Sequence, residues 1–206
     1  IFSLFPRGNH AVFRSPRHMS SELRTIIIMG VSGSGKSVVG SLLATQLDAV
    51  FEDGDDFHPP SNKAKMSAGT PLTDDDRWPW YAVLRQRIED MRHLTPVYIL
   101  ACSALKPIYR DKLRAHDADS ALRFVLLDGS RDLITSRMAA RQGHFMPLSL
   151  LESQLATLDP TPDVIRVSIF VASDDATAGS VIRKAERISP SISGRSHFFF
   201  CSWLPK

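Results

Sequence analysis

Residues 30–37 read Gly-Val-Ser-Gly-Ser-Gly-Lys-Ser, which fits G-x-x-x-x-G-K-[ST] without a mismatch. Few short segments restrict a fold so strongly. Such a loop works only where a strand runs into it and a helix leaves it, because backbone N–H groups and a helix N-terminus must converge on one anion. Both flanks comply. Residues 25–29 (TIIIM) are a short β-branched run ending at Gly30, and residues 36–47 place Val39, Leu42, Leu43 and Leu47 at helical spacing. Glycines let successive N–H groups turn inward where a side chain would collide. Gly30, Val31, Ser32, Gly33, Ser34, Gly35, Lys36 and Ser37 are therefore the expected nucleotide-phosphate site. Lys36 would reach the β- and γ-phosphates, and the Ser37 hydroxyl would ligate Mg²⁺. A glycine-rich turn that merely joins strand to helix is the bland alternative, which Lys-Ser in register argues against.

Beyond the loop, strands and helices alternate. Residues 49–51, 96–101, 122–127 and 164–170 read as further strands, with an acidic turn at 52–56 closing the first of them. Residues 61–68, 74–94, 108–115, 131–141, 148–158 and 176–188 read as helices, the second opening on three Asp residues that suit a helix N-terminus. The expected fold class is α/β: a P-loop NTPase fold with a parallel five-stranded sheet, helices on both faces and a small lid. Ligands then belong beyond the carboxyl ends of the strands, at the topological switch point.

The net charge of +3 has to be divided before it is used. Residues 1–21 hold Arg7, Arg14 and Arg17 and no acid, and residues 190–206 hold Arg195 and Lys206, so the middle of the chain is slightly acidic. The basicity sits in the ends, and a nucleic-acid partner for the folded part loses its support. Domain organisation follows: an extension at 1–21, a kinase-sized domain at 22–188 and a tail at 189–206. The opening segment fits either an organelle transit peptide or a reading that runs upstream of a start at Met19. No run of about 18 apolar residues occurs, so no membrane partner is expected. Two distant cysteines, Cys102 and Cys201, give neither a disulfide framework nor metal spacing, which sets a cytoplasmic expectation.

Catalytic charge must come from elsewhere in the chain. The strand entering Ala101-Cys102-Ser103 lacks the carboxylate that often serves Mg²⁺ in such folds. Asp53-Gly54-Asp55-Asp56 is the richest substitute: Asp53 could hold a Mg²⁺-bound water and Asp55 could take the proton of an attacking hydroxyl. A solvated acidic turn is the competing reading. Arg137 and Arg141 stand i, i+4, with Gly143 following as a lid hinge. They would stabilise a transferring phosphoryl group, or else form an exposed basic face. A guanine-reading N-K-x-D is missing, since Asn62-Lys63-Ala64-Lys65 lacks the Asp, and no D-x-x-G occurs.

Several longer segments carry a resemblance. MGVSGSGKS (29–37), EDGDDFHPPSNKAKMSAGTPLTDDDRWPW (52–80), ACSALKPIYRDKLR (101–114), RMAARQGHFMP (137–147) and LLESQLATLDP (150–160) resemble the gluconokinase family of small sugar-acid kinases. The resemblance implies an adenylate-kinase-like fold, Mg²⁺-ATP as phosphoryl donor, D-gluconate as substrate and a homodimer. It makes Lys36, Asp55, Arg137 and Arg141 the catalytic set and Asp55, His58, Arg77 and His144 the substrate-facing set. Ser37 and Asp53 stand at the metal, with Ser103 and Lys106 as further substrate-side residues. A sugar carboxylate needs a cation or several donors, which Arg77, His58 and His144 supply, and polyol hydroxyls need acceptors such as Asp55 and Asp56. Each His taken alone reads as structural before it reads as a ligand, Trp78 and Trp80 read as core, and the DDD run reads as a helix cap. A shikimate-like or nucleoside-monophosphate kinase, and a non-catalytic nucleotide-binding protein, are the alternatives.

Overall fold

The computed structural model describes residues 24–114, 122–140 and 149–169, together with Thr177 and residues 179–181. Five strands form one sheet: β1 (Arg24–Met29), β2 (Val50–Asp53), β3 (Val97–Ala101), β4 (Leu122–Asp128) and β5 (Ile165–Ser168). Their order is β2-β3-β1-β4-β5 and every pairing is parallel. The helices are α1 (Lys36–Leu47), α2 (Pro60–Ser67), α3 (Asp74–Met91), α4 (Pro107–Arg114), α5 (Arg131–Ala140) and α6 (Ser149–Thr157). The expected parallel five-stranded α/β fold is thus the observed one.

Both faces of the sheet are buried, which is why β1 reads as a continuous apolar run rather than an alternating one. Ile27 and Met29 point to one side, where Trp80, Tyr81, Leu84 and Ile88 of α3 and Tyr109 and Leu113 of α4 cover them. Ile26 and Ile28 point to the other, against Val39 and Leu43 of α1 and Val125, Leu127 and Val167 of the neighbouring strands. Full burial of each such side chain stabilises the fold by about 1.5–3 kcal/mol. Gly40 of α1 lets the Phe51 ring seat against the helix, since a Cβ there would meet the ring at 2.3 Å.

The chain winds from β1 toward β2 on one side and from β3 toward β4 on the other, so the switch point lies between β1 and β3. The loops after these two strands are tied together. Cys102 N–H donates to Ile28 C=O at 3.0 Å and Gly30 N–H to Ser103 C=O at 3.4 Å. Arg110, fully buried, holds the second loop by donating to the carbonyls of Ala104, Leu105 and Asp159 and to Thr161 Oγ1. Ala104 there takes a left-handed φ of 44°.

Two expectations shift. The strand expected at 49–51 continues to Asp53, so Glu52 and Asp53 are strand residues and the acidic turn is a 3₁₀ helix at Gly54–Phe57. Pairing continues because Asp53 stands in register with Ala101, while the Glu52 carboxylate accepts from the Arg87 guanidinium and the Tyr98 hydroxyl. Polar pattern alone hides such a paired acid. The last strand also ends earlier than expected, at Ser168. Of the expected final helix only Thr177 and residues 179–181 are described, and residues 1–23 and 182–206 lie outside the described residues.

Candidate active site

The phosphate loop follows β1 as the motif requires. Gly33 and Gly35 take φ of 81° and 93°, the left-handed region that side chains disfavour. A Cβ on Gly33 would also stand 2.6 Å from Met138 Cγ, because α5 packs directly on the loop. Gly35 is the N-cap of α1 and no side chain caps that helix. Its first N–H groups are therefore left for an anion, in the direction the helix dipole favours. Lys36 Nζ donates to Val31 C=O at 3.1 Å, which folds the ammonium over the loop.

Opposite the loop stands the acidic turn. Ser37 Oγ donates to Asp53 Oδ2 at 2.5 Å, so the hydroxyl and carboxylate expected at Mg²⁺ form one hard-oxygen pair beside the first turn of α1. Asp53 Oδ1 accepts the N–H of Asp55, which starts the 3₁₀ helix. Gly54 between them is pressed on β3: a Cβ would come within 2.6 Å of Ala101 C=O. That contact explains the D-G-D spacing. Asp55 lies low in the cleft, and loss of water around it raises its carboxyl above the ordinary range. The Lys36 ammonium opposes that shift, while Asp53 and Asp56 add to it. Its side chain nonetheless keeps 42% exposure and lines the cleft, so the carboxylate can be reached by a substrate.

The acceptor side is built on α2 and α3. The His58 ring stacks on Trp80 with centroids 3.9 Å apart, and Trp80 Nε1–H donates to Gly54 C=O at 2.8 Å. Burial, reinforced by the charges of Lys63 and Arg77, pushes the His58 imidazole down to about 4. His58 is therefore neutral at neutral pH, one of the hydrogen-bonding groups on this side rather than a cation. Arg77 donates from Nη1 to Leu72 C=O at 2.5 Å and lies 3.7 Å from Asp74. The DDD run divides its labour. Thr73 is the N-cap and Asp76 completes a capping box, whereas Asp74 accepts from Tyr109 Oη at 2.5 Å and Lys106 Nζ at 3.2 Å. Trp80 is core, as expected, yet it also forms the floor under His58.

These groups share one cleft of about 550 Å³, open mouth included, lined on its polar side by Ser32, Lys36, Asp55, His58, Arg77 and Ser103. Residues 26–161 match the AAA domain family model. A gluconokinase of Gluconobacter oxydans is 46% identical over 153 residues, covering 73% of this chain and 85% of that protein. The thermoresistant gluconokinase of Escherichia coli K12 is 43% identical over 156 residues, covering 76% of this chain and 87% of its own length. The crystal structure of a gluconokinase from Sinorhizobium meliloti superposes with a TM-score of 0.72 at 41% identity, covering 84% of this chain and 98% of that one.

The chain belongs to the gluconokinase family. Among gluconokinase residues expected from the sequence, Lys36, Asp55, His58, Arg77 and Ser103 meet in the cleft. Lys106 donates to Asp74 at the start of α3, and Arg137 lies on α5 one residue before Met138, which meets Gly33; neither is among the described residues that line the cleft. Arg141, Gly143 and His144 lie outside the described residues, as does the lid they were expected to form. Sequence reasoning missed three residues. Gln154 of α6 accepts the Ser32 N–H at 2.7 Å through Oε1. Ser153 lines the cleft beside it. Asn62 sits buried behind His58. An isolated amide on a helix carries no spacing signal, so only the tertiary fold finds such residues.

Proposed function

We propose that this cleft transfers the γ-phosphoryl group of ATP to the 6-hydroxyl of D-gluconate, giving ADP and 6-phospho-D-gluconate. One observation carries the reading: Lys36 on the phosphate loop and Asp55 on the acidic turn face the same cleft as His58, Arg77 and Ser103. The gluconate O6–phosphorus bond forms as the bond from phosphorus to the β,γ-bridging oxygen breaks, and the hydroxyl proton goes to Asp55. A carboxyl raised by burial holds that proton better than an exposed one. Lys36 neutralises charge on the phosphates, and Arg137 and Arg141 are proposed to do so from the lid side. Arg77 is the cation for the sugar carboxylate, with His58 and His144 as donors and Asp55 as an acceptor for the polyol.

Mg²⁺ suits the Ser37–Asp53 oxygen pair, and when bound it would draw charge from the β- and γ-phosphates. The family also supports a homodimer, which light scattering tests directly. No helix among the described residues is long and apolar enough to cross a membrane; a cytoplasmic site of action is part of the same proposal. The deciding experiment is a coupled ADP-release assay with Mg²⁺-ATP, comparing D-gluconate with shikimate, AMP and a neutral sugar. Saturable turnover with gluconate alone is the expected result. Turnover only with another acceptor would replace the substrate, and ATP binding with no turnover would replace the reaction.

A further inference from the structure

The neutral ring of His58 has two possible tautomers, and they offer a substrate opposite chemistry at Nε2: a donor in one, an acceptor in the other. The surroundings choose between them. Behind the ring, Asn62 Nδ2 stands 3.4 Å from Nδ1. Asn62 is 2% exposed, and its amide orientation is set independently, because the same Nδ2 donates to Asp76 C=O at 2.8 Å and a carbonyl can only accept. An N–H on Nδ1 would point at this amide's hydrogens. In front of the ring, Nε2 faces Asp55 Oδ1 at 3.9 Å, an acceptor that favours a proton on Nε2. Both sides demand the same tautomer. The stack on Trp80 fixes the plane of the ring, so both nitrogens stay in line with these neighbours.

We propose that Asn62 is a positioning residue that holds His58 in its Nε2–H form, so that His58 donates to an acceptor-side oxygen of the sugar acid while Asp55 beside it accepts. The adjacent pair then reads a hydroxyl in both senses, one oxygen as acceptor and one hydrogen as donor, which a plain hydrocarbon or a phosphate ester cannot satisfy. This inference rests on the cleft being the sugar-acid site. The groups bearing on the ring are Asp55 from the 3₁₀ turn, Lys63 from α2 and Arg77 from α3, together with the polar backbone of Asp76 through Asn62. Replacing Asn62 by Asp would set a carboxylate where the amide stands, draw a proton to Nδ1 and favour the doubly protonated ring.

The test uses the full chain labelled with ¹⁵N-histidine, His58 being identified by the resonances that His58→Gln removes. At about neutral pH the expected spectrum has the proton on Nε2 and a bare Nδ1. Asn62→Asp should protonate both nitrogens, raise the gluconate KM about tenfold with the ATP KM unmoved, and give gluconate KM a new dependence on pH. Asn62→Ala guards against a variant that fails to fold. It should raise gluconate KM several-fold in the natural background and add nothing in His58→Gln, whose amide donates without a tautomer to choose. A proton on Nδ1 in the natural chain would overturn the proposal, as would an Asn62→Ala penalty that is the same in both backgrounds. If the chain fails to turn over gluconate at all, the substrate reading falls, and the nitrogen spectrum still decides the tautomer.

Discussion

Acidification should unfold this protein through His58 sooner than its other groups would suggest. The folded ring is pushed down to about 4 from an ordinary 6.5 by burial, with Lys63 and Arg77 adding to it. A group whose folded pKa is depressed below its unfolded value leaves the unfolded state holding more protons between those two values, so stability rises with pH across that window and is lost as pH falls through it. Only 4% of the side chain is exposed, so little solvent screening discounts the effect. Going from about pH 7.5 to about pH 5, linkage at this one ring removes about 2 kcal/mol, and it approaches about 3 kcal/mol once pH falls below 4. For a domain of this size, 2 kcal/mol corresponds to roughly 4–8 °C in Tm. Urea unfolding at the two pH values measures it, with His58→Gln as the comparison. The carboxylates titrate in both proteins, so the difference between their pH dependences isolates the ring. An equal loss of stability in His58→Gln would refute the reasoning, because the buried ring would then contribute nothing to linkage.

Asp55→Asn should lower turnover roughly 10²–10⁴-fold while ATP affinity is kept, since the proton acceptor is lost and the phosphate loop is untouched; near-normal kcat would remove Asp55 from the base role. The same substitution should leave thermal stability unchanged or slightly higher, because a desolvated carboxylate beside Asp53 and Asp56 is removed. Gly33→Ala should weaken ATP binding and cost about 1–2 kcal/mol of stability, given φ of 81° and Met138 Cγ in the space of the new methyl; isothermal titration and thermal melts read the two effects. Arg110→Met should cost about 3 kcal/mol, near 6–12 °C in Tm, because the carbonyls of Ala104, Leu105 and Asp159 lose a shared donor inside the fold. A melt within a degree of the natural chain would show that the loop after β3 needs no such clamp.

The phosphate loop was legible from eight residues because its chemistry is local: consecutive N–H groups, a strand before and a helix after. The parallel sheet was legible for a related reason, since runs such as IIIM and YILA admit few environments other than a sheet covered on both faces. Boundaries were less so. Glu52 looked like turn material until Arg87 and Tyr98 were seen to hold it in β2. The three Asp residues at the start of α3 looked equivalent, yet Asp76 caps the helix and Asp74 binds Lys106 and Tyr109. Identical residue types diverge there because each points to a different neighbour around the helix.

The sequence by itself determined the nucleotide loop, the order of strands and helices, and the family to which the D-G-D turn and the PLTDDDRWPW segment belong, because each of these is written in contiguous residues. Tertiary structure alone decided the charge state of His58, the meeting of Lys36 with Asp55, the pairing of Lys106 with Asp74, and the places of Asn62 and Gln154. The physical reason is range. Dihedral preference and apolar periodicity act over a few residues, whereas desolvation and hydrogen-bond geometry depend on which distant segments the sheet brings within about 4 Å of one another.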